Sequence, residues 1–493
     1  MASIITLTAD NGEKVEFDSA IAGTGAMKDV HFSPDRSYVV AFFRNAPDAR
    51  SRGRLETITG PYREKIFNGP HGDYWRKLFC WPESIVVWEG RTGLVCPAYD
   101  ADFYFRSGRF KGREKEGKWF ASAKLRNRFL EPAEKGSWLN SLQICLNISR
   151  AVRRLHAAGL AHSDLSYKNV LVDPPGGRAC IIDIDGLVVP GRYPPDVMGT
   201  PDFIAPEVMA TRNLPPVDPA RKLPSIATDR HALAVLIYMY LLCRHPLRGP
   251  LVHDLDPARD EELSMGANAL FIEHASDRRN RPDPQKLDAA ELPQGDVDRL
   301  PCTLCGPYLA DLFQDAFTAG LHYPEQRPTA ADWETALIKT MDLLQPCQNP
   351  DCEAQWFAYD NMLSPKCPFC GTSYDKPLPV LNFYWSPKRG KFKRENRRLM
   401  VHDKQSLHKW HVSRLIAPNE KISNEDKKPV GVFHFEDGQW LLINRSLKTM
   451  YDKSSDRKIE PGAAVSLEEG KTILLSAESG GRLIVVQMVN SQK

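Results

Sequence analysis

His162, Asp164, Lys168 and Asn169 fall within one eight-residue stretch, and Asp183 and Asp185 follow it after a short apolar run. The first four residues sit in a tight loop that ends on Val170 and Leu171. The turn signal Asp173-Pro174-Pro175-Gly176-Gly177 then separates the loop from a second strand, 179–182, which runs into the two acids. Strands joined by a tight turn form a hairpin, so the loop and the acidic pair meet at one end of it. Hard oxygen ligands gathered there suit a divalent cation and a phosphate-bearing substrate, because the cation offsets phosphate charge. Asp183 directly follows the strand. Asp185 is either a second ligand or a cap for the turn.

Such a centre needs rigid support. Leu139, Leu142, Leu146, Ser149, Val152 and Leu155 approximate one face of an amphipathic helix over 138–158, and Gly159 is its stop signal. A second, wholly apolar helix over 232–242 starts near Asp229, which reads as a cap at its start. Upstream, strands are expected at 5–8, 15–17 and 38–43, with a hairpin spanning 85–95. Gly23-Thr24-Gly25-Ala26 is a flexible turn, and 54–67 is helical with a break at Gly60-Pro61. Residues 105–117, basic and glycine-rich, are expected to be an exposed insertion, and the polar stretch 248–301 an extended one.

The series His162-Ser163-Asp164, Asn169, Asp183-Ile184-Asp185-Gly186, Gly199-Thr200-Pro201 and Ala205-Pro206-Glu207 resembles, in order and spacing, the catalytic core of protein kinases. The resemblance covers about residues 15–345 and implies an α+β, bilobal kinase-like fold, with an N-lobe over 1–99 and a C-lobe over 100–345. It also implies ATP and Mg²⁺. Asp164 is then the catalytic base, Lys168 neutralises the phosphoryl group in transfer, and Asn169 and Asp183 hold the metal. Gly23 and Gly25 offer backbone N–H groups to phosphate, Cys96 lies where the inter-lobe linker meets adenine, and Glu207 pairs with Arg327. Phe43 stands where kinases carry the phosphate-gripping lysine, so another cation must act. Lys28, Arg44 and Lys65 are the candidates, Lys28 being nearest the glycine turn, with Glu56 or Glu64 as the acid that pairs with the cation. Ser163 replaces the usual Arg, so control by an activation-loop phosphate is not expected. The short, proline-rich segment 186–202 implies an ordered activation segment.

Cys347 and Cys352, then Cys367 and Cys370 fourteen residues on, have the spacing of a tetrahedral Zn²⁺ site, and a zinc ribbon over 346–375 is expected. Four filled positions leave none open for catalysis, and so small a module depends on its metal to fold. Residues 376–493 read as a small β-sandwich with strands at 381–385, 431–435, 440–443, 464–467, 472–475 and 483–489. The tail resembles a forkhead-associated domain, a reader of phosphothreonine, which makes Arg414, with Ser413 or Asn444, its candidate ligand set. A kinase-like domain followed by a four-Cys ribbon is similar to bacterial proteins of the tellurium-resistance and stress-response clusters. That similarity implies a von Willebrand-type domain protein and a Ser/Thr phosphatase as partners.

The chain has 65 Lys and Arg against 62 Asp and Glu, a balance that gives no global case for nucleic-acid binding. The basic run 388–398 is read as a solvated turn. No apolar run reaches membrane-spanning length and no secretory leader is visible. Eleven cysteines, an odd number that includes two pairs spaced for a metal, fit a reducing, cytoplasmic setting. The leading reading is ATP- and Mg²⁺-dependent transfer to Ser or Thr of a partner protein. The alternative is a pseudokinase scaffold that binds nucleotide and recruits stress-response partners. A nucleic-acid adaptor using the ribbon and the basic run is the third reading.

Overall fold

The computed structural model describes residues 3–25, 27–195, 197–360, 365–388 and 390–489. It divides into two compact units, the first made of Met1–Gly136, Asn140–Cys302 and Asp311–Glu334, the second of Ser137–Leu139, Thr303–Ala310 and Thr335–Lys493. Ala26, in the glycine turn, and Arg389, in the basic run, lie outside the described residues. No helix among the described residues is long and apolar enough to cross a membrane.

The first unit opens with a two-stranded hairpin, β1 (Ile4–Thr8) and β2 (Lys14–Asp18), followed by a five-stranded antiparallel sheet. In that sheet β3 (Gly23–Thr24), β4 (Lys28–Phe32), β5 (Tyr38–Phe43), β7 (Arg91–Pro97) and β6 (Ser84–Trp88) lie side by side in that order. The sequence YVVAFF of β5 is apolar on both faces because both faces are covered. Val40 and Phe42 pack with Val15 and Phe17 of the hairpin, while Phe43 packs with Leu55 of the helix Ala49–Thr57 and with Leu94. Gly93 lies beside Phe42 in the sheet, and a Cβ there would come within 2.7 Å of the phenyl ring. Asp48 caps the helix Ala49–Thr57 by accepting from Ser51 N at 2.7 Å, and Gly60 breaks the helical path before Arg63–Phe67.

The rest of this unit is mainly helical. The helix Ile226–Leu242 starts from a Ser225–Thr228 capping box and is buried all round from Ala232 to Leu242, as an evenly apolar helix must be. The helix Trp138–Ala157 leads through Gly159 into the loop of His162 and Asp164. The hairpin β8 (Val170–Asp173) and β9 (Arg178–Ile181) then carries Asp183 at its end.

Two expectations about insertions are corrected. Residues 105–117 are only partly an exposed excursion: 106, 108, 109 and 111–114 are exposed, but Phe105, Phe110, Lys115 and Gly117 are buried, and Lys115 O accepts from Val172 N at 3.0 Å, which adds the segment to β8. Charge hid this, because the buried Lys115 ammonium is neutralised by Glu134 at 2.8 Å. The stretch 248–301 likewise contains the helix Pro257–Met265 and buries Phe271, Ile272, Val297 and Leu300. Arg244 ties it down through Glu273 and the Leu300 carbonyl, each at 2.7 Å.

The second unit contains the short pair β10 (Leu344–Pro346) and β11 (Trp356–Ala358), the four cysteines, and two antiparallel sheets. The larger sheet has the order β13 (Lys391–Met400), β12 (Leu378–Lys388), β21 (Arg482–Val489), β20 (Thr472–Leu474), β17 (Tyr451–Asp452) and β18 (Arg457–Lys458). The smaller one runs β14 (Ser406–His408), β15 (Pro429–Glu436), β16 (Gln439–Asn444) and β19 (Ala464–Ser466). The basic run is therefore largely strand β13 rather than a solvated turn. An edge strand tolerates charge along its open side, and two of its cations are inward: Arg397 pairs with Asp342 at 2.7 Å and Arg398 pairs with Asp360.

Candidate active site

The loop that follows helix Trp138–Ala157 is fixed from below by one carboxylate. Asp229, 2% exposed, accepts from His162 N at 2.7 Å through Oδ2 and from Ser163 N at 3.2 Å through Oδ1. The bracing role thus joins the helix-start position expected of Asp229. Ser163 adopts a left-handed backbone, φ 68°, immediately before the half-buried Asp164. His162 Nε2 lies 3.0 Å from the Ile182 carbonyl, and Asn169 O accepts from Ile182 N at 3.0 Å. These bonds join the loop to the end of β9 and bring Asp164, Asn169 and Asp183 to one place.

Asp164 is held on both oxygens. Asn169 Nδ2 donates to its Oδ2 at 3.0 Å and to its carbonyl at 2.8 Å, and Thr200 Oγ1 donates to its Oδ1 at 2.8 Å. With its nitrogen so used, Asn169 keeps Oδ1 as an oxygen donor for a cation. Lys168 is exposed, and its backbone N donates to Ser166 Oγ at 3.3 Å. Thr200 stands out in the sequence only as part of a motif, and its contact with Asp164 spans 36 positions.

The two acids of the turn separate into different environments. Asp183 is left-handed at φ 60° and ψ 47°, and its side chain is 56% exposed. Asp185 is 15% exposed, and its Oδ2 lies 2.6 Å from Lys28 Nζ, while Asp183 Oδ1 is 3.9 Å from the same nitrogen. Burial by itself would raise the Asp185 carboxyl, but the Lys28 ammonium holds it below the ordinary range. Asp183 is raised, by the low dielectric of the cleft and then by its Asp185 neighbour, although much of its surface meets solvent. Lys28, which burial would lower, is raised by these two carboxylates.

Of the three candidate cations only Lys28 reaches this turn. It opens β4 directly opposite Phe43 of β5, and its Nζ stands 4.9 Å from the centre of the Phe43 ring. Arg44 instead donates to Asp29 at 3.1 Å and to Gly25 O at 2.6 Å, and Lys65 donates to Ala158 O at 2.8 Å. Glu56 pairs with Arg52 at 3.3 Å on the surface, and among the described residues neither it nor Glu64 meets Lys28. Gly23 and Gly25 are exposed at the hairpin of β3 and β4, with Gly25 N donating to Lys28 O at 2.8 Å. Cys96 lies on β7 opposite Val39 and packs against Phe43, Leu55, Ile85 and Leu94.

The segment that follows the acidic turn is tied down at several points. Val188 and Ala161 exchange backbone bonds at 2.8 and 3.2 Å, and Arg54 of the helix Ala49–Thr57, 1% exposed, donates to Pro194 O at 2.7 Å. Arg54 carries no local signal, since its acceptor is 140 positions away. Arg327 grips Glu207 through two bonds at 2.9 and 2.7 Å.

In the second unit the sulfur atoms of Cys347, Cys352, Cys367 and Cys370 all lie within 4.8 Å of one another, with Cys347–Cys370 at 3.5 Å and Cys352–Cys367 at 3.9 Å. A tetrahedron with metal–sulfur bonds of about 2.3 Å has sulfurs about 3.8 Å apart, so the set could hold zinc. The candidate phosphothreonine set is not gathered in the same way. Asn444 is fully buried, donating to Leu447 O at 2.7 Å and Ile459 O at 2.8 Å, while Arg414 lies exposed over Trp385, 4.4 Å from the ring centre.

Residues 140–187, which hold the loop and the acidic turn, match the family model of lipopolysaccharide kinases (Kdo/WaaP). The centre of this chain is kinase-like. Segments of it are similar to a dual serine/threonine and tyrosine protein kinase of Apis mellifera, 36% identical over 74 residues, or 15% of this chain and 8% of the relative. A stretch of 131 residues is similar to the death-associated protein kinase dapk-1 of Caenorhabditis elegans, at 33% identity, or 26% of this chain and 8% of the relative. The matches thus span about 8% of the length of these curated relatives. Among solved structures, a Toxoplasma gondii rhoptry antigen kinase domain has a TM-score of 0.41 at 14% identity, covering 69% of this chain and 86% of that one. A rhoptry kinase from the same organism has a TM-score of 0.42 at 14% identity, covering 69% and 84%. At those scores the kinase-like assignment rests on residues 140–187 and on the geometry of the cleft.

Proposed function

We propose that this chain transfers the γ-phosphoryl group of ATP to a Ser or Thr hydroxyl of a partner protein, with Mg²⁺ as cofactor. The observation that carries the reading is the convergence of Asp164, Asn169, Asp183 and Lys28 on one cleft, through the bonds to Ile182 and the acidic turn. Asp164, steadied by Asn169 and Thr200, accepts the proton of the attacking hydroxyl or orients it. Asn169 Oδ1 and the exposed Asp183 carboxylate are oxygen donors of the kind Mg²⁺ takes, and they would hold it. When bound, the metal neutralises phosphate charge. Lys28 supplies the cation that Phe43 cannot, meeting phosphate oxygens from β4 rather than β5. Lys168 meets the phosphoryl group in transfer, and Gly23, Gly25 and Cys96 border the nucleotide.

Phe43 is what favours the pseudokinase scaffold, and the Lys28 ammonium above its ring supports the catalytic reading instead. In the second unit we assign Cys347, Cys352, Cys367 and Cys370 to a structural zinc, in keeping with a reducing, cytoplasmic setting. Its β domain, forkhead-associated-like, is assigned to partner docking. The partners to try first are a von Willebrand-type domain protein and a Ser/Thr phosphatase, which the similarity to tellurium-resistance proteins implies.

The test is incubation of the full chain with labelled ATP, Mg²⁺ and these proteins, in parallel with Asp164→Asn. Label on Ser or Thr of a partner that disappears with the variant supports the reading. Label appearing only on a sugar acceptor would move the substrate class to that of the lipopolysaccharide kinases, and equal label with the variant removes Asp164 from the chemistry.

A further inference from the structure

The lysine that meets nucleotide phosphates must be held in place by an acid, because a free four-carbon chain samples many rotamers. No acid of the helices Ala49–Thr57 and Arg63–Phe67 does so among the described residues. The buried polar side chains of Ala49–Thr57 are Arg54 and Thr57, and Arg54, itself a cation, is bonded to Pro194 O. Lys28 instead has Asp185 at 2.6 Å, with both side chains at least four-fifths buried.

The surroundings of Asp185 suit a fixed support. It sits in the single turn Ile184–Gly186, whose last carbonyl accepts from Ser163 Oγ at 3.4 Å, and the next strand-like residue, Val188, bonds Ala161. The turn is thereby anchored to the loop of Asp164. Asp183, two residues earlier, projects into solvent and is left for the metal.

We propose that Asp185 is the positioning residue for Lys28, filling the role that a helix acid was expected to fill. The inference rests on the reading of Lys28 as the phosphate-binding cation. Its consequence is that the nucleotide cation is registered to the turn that carries the metal ligand, across 157 positions of sequence, and not to the helix Ala49–Thr57. Loss of Glu56 or Glu64 then leaves the Lys28–Asp185 contact intact.

The experiment uses the full chain and an acyl-phosphate ATP probe that acylates amines near the phosphates, with labelling of Lys28 followed by mass spectrometry, alongside KM and kcat for ATP. Asp185→Asn is expected to slow Lys28 labelling about tenfold and to raise KM for ATP by a similar factor, a loss of about 1.4 kcal/mol. Asp185→Glu is expected to recover most of the labelling, and Glu56→Gln and Glu64→Gln to stay within about twofold of the wild type. Circular dichroism melts confirm that each variant is folded, and Asp185→Glu carries the test if Asp185→Asn is not. Wild-type labelling of Lys28 in Asp185→Asn overturns the proposal, and so does a comparable loss in either glutamate variant. A weaker Mn²⁺ affinity in Asp185→Asn with Lys28 labelling unchanged makes Asp185 a metal ligand instead. If the wild-type chain binds nucleotide but the probe never labels Lys28, the reading of Lys28 fails, independently of Asp185.

Discussion

Asn169 donates its side-chain amide to Asp164 twice, to the backbone carbonyl at 2.8 Å and to Oδ2 at 3.0 Å. One residue therefore orients the proposed base and presents its remaining oxygen to a cation. Asn169→Ala removes both functions together. The expected outcome is a fall in phosphoryl transfer of about 100-fold, with the half-saturating Mg²⁺ concentration rising and the melting temperature little changed. Steady-state rates across an Mg²⁺ titration check this.

The Arg327–Glu207 pair carries stability rather than chemistry. Arg327 is 1% exposed and also donates to three backbone carbonyls, those of Gly320 at 2.7 Å, Ala227 at 2.9 Å and Leu321 at 3.2 Å. Arg327→Met leaves the Glu207 carboxylate without its partner and should cost ~3 kcal/mol. Urea unfolding of the full chain measures it, and an unchanged midpoint would show that the pair is dispensable.

Zinc at the four cysteines predicts one equivalent of metal per chain by elemental analysis. Chelation, or Cys367→Ser, should release it and open 346–375 to proteolysis, because the module has little core of its own. Full protection in the metal-free chain would contradict the assignment.

The second unit should lose stability in acid. Burial alone would raise Asp342, yet the Arg397 guanidinium holds its carboxyl below the ordinary range, and burial lowers His411, whose Nε2 is 3.2 Å from Asp342 Oδ1. His411 Nδ1 accepts from His408 N at 3.1 Å, so the ring is built to be neutral. Both groups bind protons more weakly folded than unfolded. Their contribution is complete above about pH 6.5, declines below it as unfolded His411 takes a proton, and falls again below about pH 4 with Asp342. Thermal melts of this unit's transition between about pH 7.5 and about pH 5 should show the first decline, and His411→Asn should flatten it.

The hairpin of residues 170–182 and its polar ends were legible because loop, turn and strand signals lie within one short stretch. The strand 38–43 was legible from its apolar run, and so were both long helices. What could not be read was set by distant partners. Lys28 stood out beside the glycine turn, but its choice over Arg44 and Lys65 depends on Asp185, 157 positions away. Strand β13 was hidden by charge that an edge strand can carry, and the buried Lys115 by a neutralising acid, Glu134, further along the chain. Arg54 gave no local sign of burial, since its contact with Pro194 forms only in the folded chain.

The central claim is that Lys28, Asn169 and Asp183 together hold a metal–nucleotide in reach of Asp164. A crystal structure of the full chain with Mg²⁺ and a non-hydrolysable ATP analogue tests it most directly. The account predicts Lys28 Nζ within hydrogen-bonding distance of an α- or β-phosphate oxygen, with Asn169 Oδ1 and Asp183 on the metal. Phosphates contacted by Arg44 or Lys65 instead, or a nucleotide bound away from this cleft, would contradict it.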